Sequence, residues 1–423
     1  MVHQTMSRST PRASRASSRI SNMTTRLPRR SVDRAILGIL ATATALLLAA
    51  CAVPTLPPDA SAPAAVPGVG EPAIGRPGAF APVPAAPVAG RGRWVPADWS
   101  ELPGFADDDL FEAWNAWTKS CEKPGPAYAA LCGDVRRLSI GTPEEQRAWM
   151  MAKLQPYRVE SAEGNPEGLL TAYYEPVVPA SRLQAPGFNV PLYAPPAGLG
   201  QRKPWYTRQQ IDTLPEARAA LQGRALAWLA DPVEAMVLHI QGSGRLRISE
   251  PDGSVRLVRL AYAGTNDQPY RSIGSWLLQN GQVRDATWPG IRAWLAQNPQ
   301  RTNELMWTNP RYVFFREEPL DALDASFGPR GAQGVALTPG RSIAVDRTSI
   351  PYGTPVWLAS PGPTAALQRL VMAQDTGSAI VGAVRADYFV GWGADAGEAA
   401  GRLKQSLRLW ALWPRGLSGG PSP

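Results

Sequence analysis

Apolar positions recur at helical spacing early in the globular part of the chain and at alternate positions later. From Trp94 to about Leu170 the pattern is helical: Leu110, Trp114 and Trp117 follow at intervals of four and three. Pro143-Glu144-Glu145 after Thr142 reads as a first helical turn. Extended runs follow at 168–174, 235–240, 246–248 and 255–260, with Asp252-Gly253 as a hairpin turn between the last two. Residues 273–278, carrying Trp276, and 289–295 read as helices. Strands return at 312–315, 343–345, 356–358, 370–373 and 386–390. After Asp395 a last amphipathic helix is expected, with Leu403, Leu407 and Trp410 on one stripe, ending near Pro414. The chain shows no internal repeat. The mixture predicts a mainly β fold with flanking helices, arranged in two lobes.

The N-terminal pattern is different. An arginine-rich stretch ends at Arg29-Arg30-Ser31-Val32-Asp33-Arg34, and an apolar run from Ala35 to Leu48 follows. That run is short of the roughly 20 residues that span a bilayer comfortably. It closes on Leu48-Ala49-Ala50-Cys51, which resembles a bacterial lipobox. The resemblance implies that 1–50 is a lipoprotein signal peptide and that Cys51 is lipidated, with Ala52 after it favouring the outer membrane. An uncleaved membrane anchor is the alternative, and Met6 or Met23 are alternative starts. Residues 52–90 hold ten prolines among Ala, Val and Gly. This composition describes a semi-extended spacer between the lipidated Cys51 and a globular part beginning near 93.

Charge sharpens that division. The chain of 423 residues carries a formal +8, a value that would suit a nucleic-acid partner. Residues 1–50 hold eight arginines against the single acid Asp33, which leaves 35 basic and 34 acidic residues elsewhere. The globular part is therefore nearly neutral, and no nucleic-acid partner is expected. Beyond Cys51 there are two cysteines, Cys121 and Cys132, in a region read as exported. A local disulfide between them and a pair of buried free thiols are both open.

The chemistry is first narrowed by elimination. Gly242-Ser243-Gly244 is not a hydrolase nucleophile elbow, and His239 lies too close along the same element to serve Ser243 as a base. No metal-ligand spacing or phosphate-binding loop is present, so neither metal nor cofactor is expected. Carboxylates, aromatics and glycine turns are left, the set used in carbohydrate chemistry. Asp346 follows the apolar run 343–345. Asp375 ends the run in Gln374-Asp375-Thr376-Gly377-Ser378, and Asp387 lies inside Arg385-Ala386-Asp387-Tyr388-Phe389. A strand-end aspartate is ordinarily a turn former, but Asp387 sits where an unpaired carboxylate is costly.

These three contexts, with Leu170-Thr171-Ala172-Tyr173-Tyr174-Glu175-Pro176, His239-Ile240-Gln241-Gly242-Ser243-Gly244 and Asn309-Pro310-Arg311-Tyr312-Val313-Phe314-Phe315, resemble the membrane-bound lytic transglycosylase A family and its three-aspartate domain. The resemblance covers roughly 95–415, with Ala172 and Ser378 where the family usually has glycine. It implies a double-psi β-barrel domain formed by 93–179 and 286–415, split by an inserted β domain at 180–285, with the substrate groove between them and a short tail at 416–423. It also implies cleavage of the β-1,4 bond between N-acetylmuramic acid and N-acetylglucosamine in peptidoglycan without water, leaving 1,6-anhydromuramoyl ends. Asp387 would be the acid and then the base, with Asp375 assisting through hydrogen bonding or like-charge repulsion. Substrate contacts are expected from Thr171, Tyr173, His239, Gln241, Gly242, Ser243, Asp346 and Gly377. His239 and Gln241 would share one face of a strand over 237–241. Of Tyr173 and Tyr174, one would face the groove and the other the core. The expected partners are peptidoglycan glycan strands and the outer membrane through the lipid anchor, with the protein a monomer. A hydrolytic glycosidase on a related barrel and a non-catalytic peptidoglycan-binding lipoprotein are the competing readings.

Overall fold

The computed structural model describes residues 92–417, residue 364 apart; the segments expected to be a signal peptide (1–50), a lipidation site (Cys51) and a proline-rich spacer lie outside the described residues. Fourteen strands are found there. In chain order they are β1 (Gly92–Pro96), β2 (Leu154–Ser161), β3 (Gly168–Glu175), β4 (Val177–Ser181), β5 (Val190–Tyr193), β6 (Ala225–Leu229), β7 (Gly244–Ser249), β8 (Val255–Thr265), β9 (Val313–Pro319), β10 (Ser342–Val345), β11 (Pro355–Ser360), β12 (Leu367–Asp375), β13 (Arg385–Trp392) and β14 (Lys404–Pro414). Ten α-helices accompany them: α1 (Phe111–Ser120), α2 (Cys132–Arg137), α3 (Pro143–Lys153), α4 (Arg208–Thr213), α5 (Pro215–Leu221), α6 (Pro232–Gln241), α7 (Ile273–Gln279), α8 (Trp288–Gln297), α9 (Thr302–Trp307) and α10 (Gly393–Arg402).

The first sheet runs β1-β2-β14-β11-β12-β10-β13-β3, and β3 pairs again with β14. The long β14 makes this possible: 404–407 pair with β3, 408–411 with β11 and 410–414 with β2. Six strands thus circle a barrel-like sheet. Both faces of its central strands are covered. Val356, Leu358, Val371, Ala373, Leu409 and Ala411 fill the barrel, while Trp357, Leu370, Met372, Trp410 and Leu412 face Trp114, Trp117 and Met150 of α1 and α3. Each such side chain contributes about 1.5–3 kcal/mol through burial. Thr142 caps α3 as expected, accepting the Glu145 N–H at 3.2 Å, with Pro143 in the first turn. A disulfide joins Cys121 to Cys132 and so ties α1 to α2.

The second sheet, β5-β6-β4-β7-β8-β9, runs through Pro319. It therefore reaches beyond 285, the limit that the resemblance implied for the insert, and takes in β9. The expected Asp252-Gly253 turn joins β7 to β8, with Gly253 at φ +85°. One buried cluster links the two sheets. Glu175, the last residue of β3, accepts from Arg245 of β7 at 2.7 Å and from Arg259 of β8 at 2.6 Å.

Three expectations fail. Residues 235–240 are helical, not extended. Asp231 caps the start of α6 ahead of Pro232, and Gly242 at φ +79° ends it. Ala235 and Leu238 pack on the second sheet and Val233, Met236 and Val237 on α7–α9, so an apolar surface all round hides the helical period. Leu403, Leu407 and Trp410 are not a helical stripe, because α10 ends at Arg402 and the rest is β14. β14 alternates exposed and buried positions over 404–408 and is buried on both faces from Leu409 on, so its apolar residues fall at intervals that also suit a helix. Finally, the stretch from Trp94 to Leu170 is not helical throughout, since β1 and β2 frame its three α-helices.

Candidate active site

The site grows from one row of residues across the barrel wall. Leu170, Ile343, Val345 and Ala386 point into the barrel core, so their neighbours Thr171, Ala344 and Asp387 turn outward. Asp387 on β13 lies opposite Thr171 on β3 and Ala344 on β10, and Ala344 also lies opposite Asp375 on β12. Sheet pairing therefore carries residues more than 200 positions apart into one line.

Hydrogen bonds distinguish the two aspartates. Thr171 donates its hydroxyl to Asp387 Oδ1 at 2.5 Å, and Arg385 Nη2 donates to that hydroxyl oxygen at 2.8 Å. Asp387 Oδ2 has no hydrogen-bond partner among the described residues. Asp375 is held on both oxygens, by the Tyr173 hydroxyl at 2.9 Å and by the Ala332 N–H at 2.9 Å. Burial raises the Asp387 carboxyl above its ordinary range, while the Thr171 hydrogen bond and the Arg385 charge oppose the rise. Burial also raises Asp375, and the Asp387 charge adds to that rise. Burial raises the Tyr173 hydroxyl too, followed by the Asp375 charge, so it stays protonated and donates.

Tyr173, Asp375 and Asp387 line a cleft of about 210 Å³ between the barrel and the end of α6, whereas Thr171 and Arg385 do not line it and act on Asp387 from behind. The barrel side supplies Ala172, Tyr173, Ala344, Asp375, Asp387 and the turn 376–380 with Gly377 and Ser378; the other side supplies His239, Ile240, Gln241, Tyr270 and Arg311. No tryptophan lines it, and eight of the described tryptophans are buried in the fold. Tyr174 packs instead against the cluster formed by α6–α9. A larger depression of about 430 Å³ lies around Trp410 and Arg408. Its carboxylates are already paired, Glu101 with Arg158 and Glu167 with Arg408, which leaves no group free for acid catalysis.

His239 and Gln241 reach the cleft from the last turn of α6, not from a strand. His239 Nδ1 lies 2.9 Å from Arg208 Nη2. Arginine only donates, so Nδ1 accepts and the ring proton sits on Nε2. Burial, then the Arg208 charge, depress the imidazole well below its usual range, so it is neutral. Gln241 Oε1 accepts the Tyr174 N–H at 3.1 Å, which ties α6 to β3. Gly242 and Ser243 belong to the turn that follows α6 and do not line the cleft. Asp346 does not line it either. Its Oδ1 accepts from the Thr348 N–H and hydroxyl and its Oδ2 from the Gly382 N–H at 2.9 Å, fixing two turns beside the barrel. Arg385 received no role from the sequence, although its place two residues before Asp387 puts both on one face of a strand. Tyr270 and Arg311 lie on connections, where no period marks them.

This arrangement has relatives. Residues 169–316 match the family description "MltA specific insert domain", and 341–413 match "3D domain". A membrane-bound lytic murein transglycosylase A of Vibrio cholerae is 30% identical over 301 residues, covering 66% of this chain and 76% of the relative. The chain belongs to the membrane-bound lytic murein transglycosylase A family. Solved structures of similar proteins include a lytic transglycosylase, LtgG, of Burkholderia pseudomallei. It is 44% identical, with a TM-score of 0.53, and the match covers 78% of this chain and 99% of that one. MltA from Neisseria gonorrhoeae is 31% identical with a TM-score of 0.66, covering 81% and 98%. Within the family frame, the insert-domain match spans the second sheet and the 3D match spans β10–β14, so the cleft falls where the two matched regions meet.

Proposed function

We propose that this chain is a lytic transglycosylase of peptidoglycan that cleaves the β-1,4 bond between N-acetylmuramic acid and N-acetylglucosamine without water and leaves 1,6-anhydromuramoyl ends. The observation that carries the reading is Asp387: a carboxyl raised by burial, lining a cleft, with Oδ2 left without a hydrogen-bond partner among the described residues. Protonated, Oδ2 donates to the leaving glycosidic oxygen as positive charge develops at C1. The resulting carboxylate then accepts the proton of the sugar's own C6 hydroxyl, whose oxygen bonds to C1. Because this nucleophile is intramolecular, no second carboxylate has to activate water. Asp375 supports that economy, since both of its oxygens are already hydrogen-bonded and leave it poorly placed as a general base.

The barrel is read as a double-psi barrel, and the protein as an outer-membrane lipoprotein facing the periplasm, tethered at Cys51 through the proline-rich spacer. Product analysis on purified sacculi tests the function. The wild type should release anhydro ends, whereas a hydrolase would release reducing ends about 18 mass units heavier, one added water. Asp387→Asn should lower the rate about a hundredfold to ten-thousandfold. An active Asn variant, or sacculi bound without soluble product, would overturn the reading.

A further inference from the structure

Arg311 brings to the cleft a positive charge that no carboxylate of the described residues pairs. Its backbone is pinned on both sides: the N–H donates to Asn309 Oδ1 at 3.2 Å, and the carbonyl accepts from Arg208 Nη2 at 2.7 Å. The guanidinium itself makes one long hydrogen bond, from Nη1 to the Gln268 carbonyl at 3.4 Å. Neighbouring arginines are committed elsewhere. Arg385 holds Thr171 and the carbonyls of Leu169 and Ala386, Arg208 holds His239, and Arg245 and Arg259 hold Glu175. Arg311 is half-buried, and its Nε and Nη2 meet no acceptor among the described residues.

We infer that Arg311 is a specificity-determining residue that receives a carboxylate of the bound strand across the cleft from Asp375 and Asp387. The inference rests on the reading of this cleft as a peptidoglycan site. N-acetylglucosamine carries no ionisable group. N-acetylmuramic acid carries a lactyl ether whose carboxyl is either free or amide-linked to a peptide stem, which brings carboxylates of its own. Carboxylate is the chemistry common to both, and the planar guanidinium matches it with two parallel hydrogen bonds. The contact lies away from the broken bond, so ground state and transition state share it and its loss appears in KM.

The test compares three forms of glycan strand: peptide-bearing, peptide-free with free lactyl carboxyls, and peptide-free with those carboxyls amidated. The wild type should show a KM about tenfold lower for an anionic form than for the amidated one, as one charge-assisted hydrogen bond allows. That gap should narrow as salt rises, because the site is partly exposed. Arg311→Gln should treat the forms alike, and Arg311→Lys should keep part of the gap. Whichever anionic form loses more in Arg311→Gln identifies the source of the carboxylate. The proposal is overturned if Arg311→Gln keeps the wild-type preference, or if the wild-type preference is absent or insensitive to salt, a result readable even should the Gln variant fail to fold. If the wild type releases no product from any form, it is the underlying functional reading that fails.

Discussion

Asp375 and Asp387 both pair with Ala344, one from each side, on the strand that separates them. At about 4.8 Å between neighbouring strands, their backbones stand roughly 10 Å apart. Each carboxyl has its own surroundings: Asp375 accepts a hydrogen bond on both oxygens, while Asp387 Oδ2 meets no donor among the described residues.

The raised Asp387 carboxyl has a consequence for stability. Its folded pKa lies above the ordinary 3.8, so its contribution is fully present below pH 3.8 and is lost as pH rises through the folded value. Asp387→Asn should therefore be as stable as the wild type at low pH and more stable at neutral pH. Thermal melts across pH 3–8 check this; an Asn variant that is less stable at neutral pH would contradict it.

Thr171 controls the same proton from the other side. Its hydroxyl favours the carboxylate, and Thr171→Val removes that bond while keeping the shape. The Asp387 pKa should rise further, and the alkaline limb of the kcat/KM profile should move to higher pH. A hydrogen bond to a charged group contributes about 1.5–3 kcal/mol, so the displacement should be large enough to resolve. A profile that keeps its position and only loses height would separate Thr171 from the titration.

Glu175 with Arg245 and Arg259 is the buried charge cluster that joins barrel to second sheet. Glu175→Gln leaves two guanidinium groups without their counter-charge, and breaking such a buried set costs about 3–5 kcal/mol. Urea unfolding should show that loss, and the cleft between the sheets should lose activity with it. A cost under about 1 kcal/mol, typical of surface pairs, would show that the cluster is not what couples the sheets.

The disulfide closes a short loop between α1 and α2, whose cysteines are 11 positions apart. Replacing both cysteines with alanine should destabilise the fold by about 2–4 kcal/mol. A reductant should lower the melting temperature of the wild type but not of the double variant.

Sequence legibility followed the range of the interactions. Thr171, Tyr173 and Asp387 stand in short motifs on strands, and the period-2 pattern already assigns each a face. The same logic failed at α6, because a helix buried all round has no polar side to show its period, and His239 and Gln241 reach the cleft from a helical turn. Asp346 sits in the same kind of strand-end context as Asp375, yet its oxygens turn to local N–H groups and a threonine hydroxyl. Only the packed fold separates the two. Tyr270, Arg208 and Arg311 come together through contacts between distant connections, which leave no local trace.

His239 gives the sharpest check on the buried electrostatics, because the chain has one other histidine, His3. Arg208 donates to Nδ1, which places the proton on Nε2, and burial with the Arg208 charge keeps the ring neutral well below the ordinary 6.5. A depressed histidine pKa stabilises the fold above pH 6.5, and that stability is lost as pH falls, because the unfolded chain binds the proton first. Nitrogen-15 spectra of histidine-labelled protein should show one imidazole as the Nε2–H form, unchanged from neutral pH to well below 6.5. Arg208→Gln removes the charge and offers an amide that can donate or accept. In that variant the ring should titrate at higher pH, and the Nε2–H form should no longer be imposed. An imidazole that protonates near 6.5 in the wild type, or one carrying its proton on Nδ1, would show that Arg208 does not set its state.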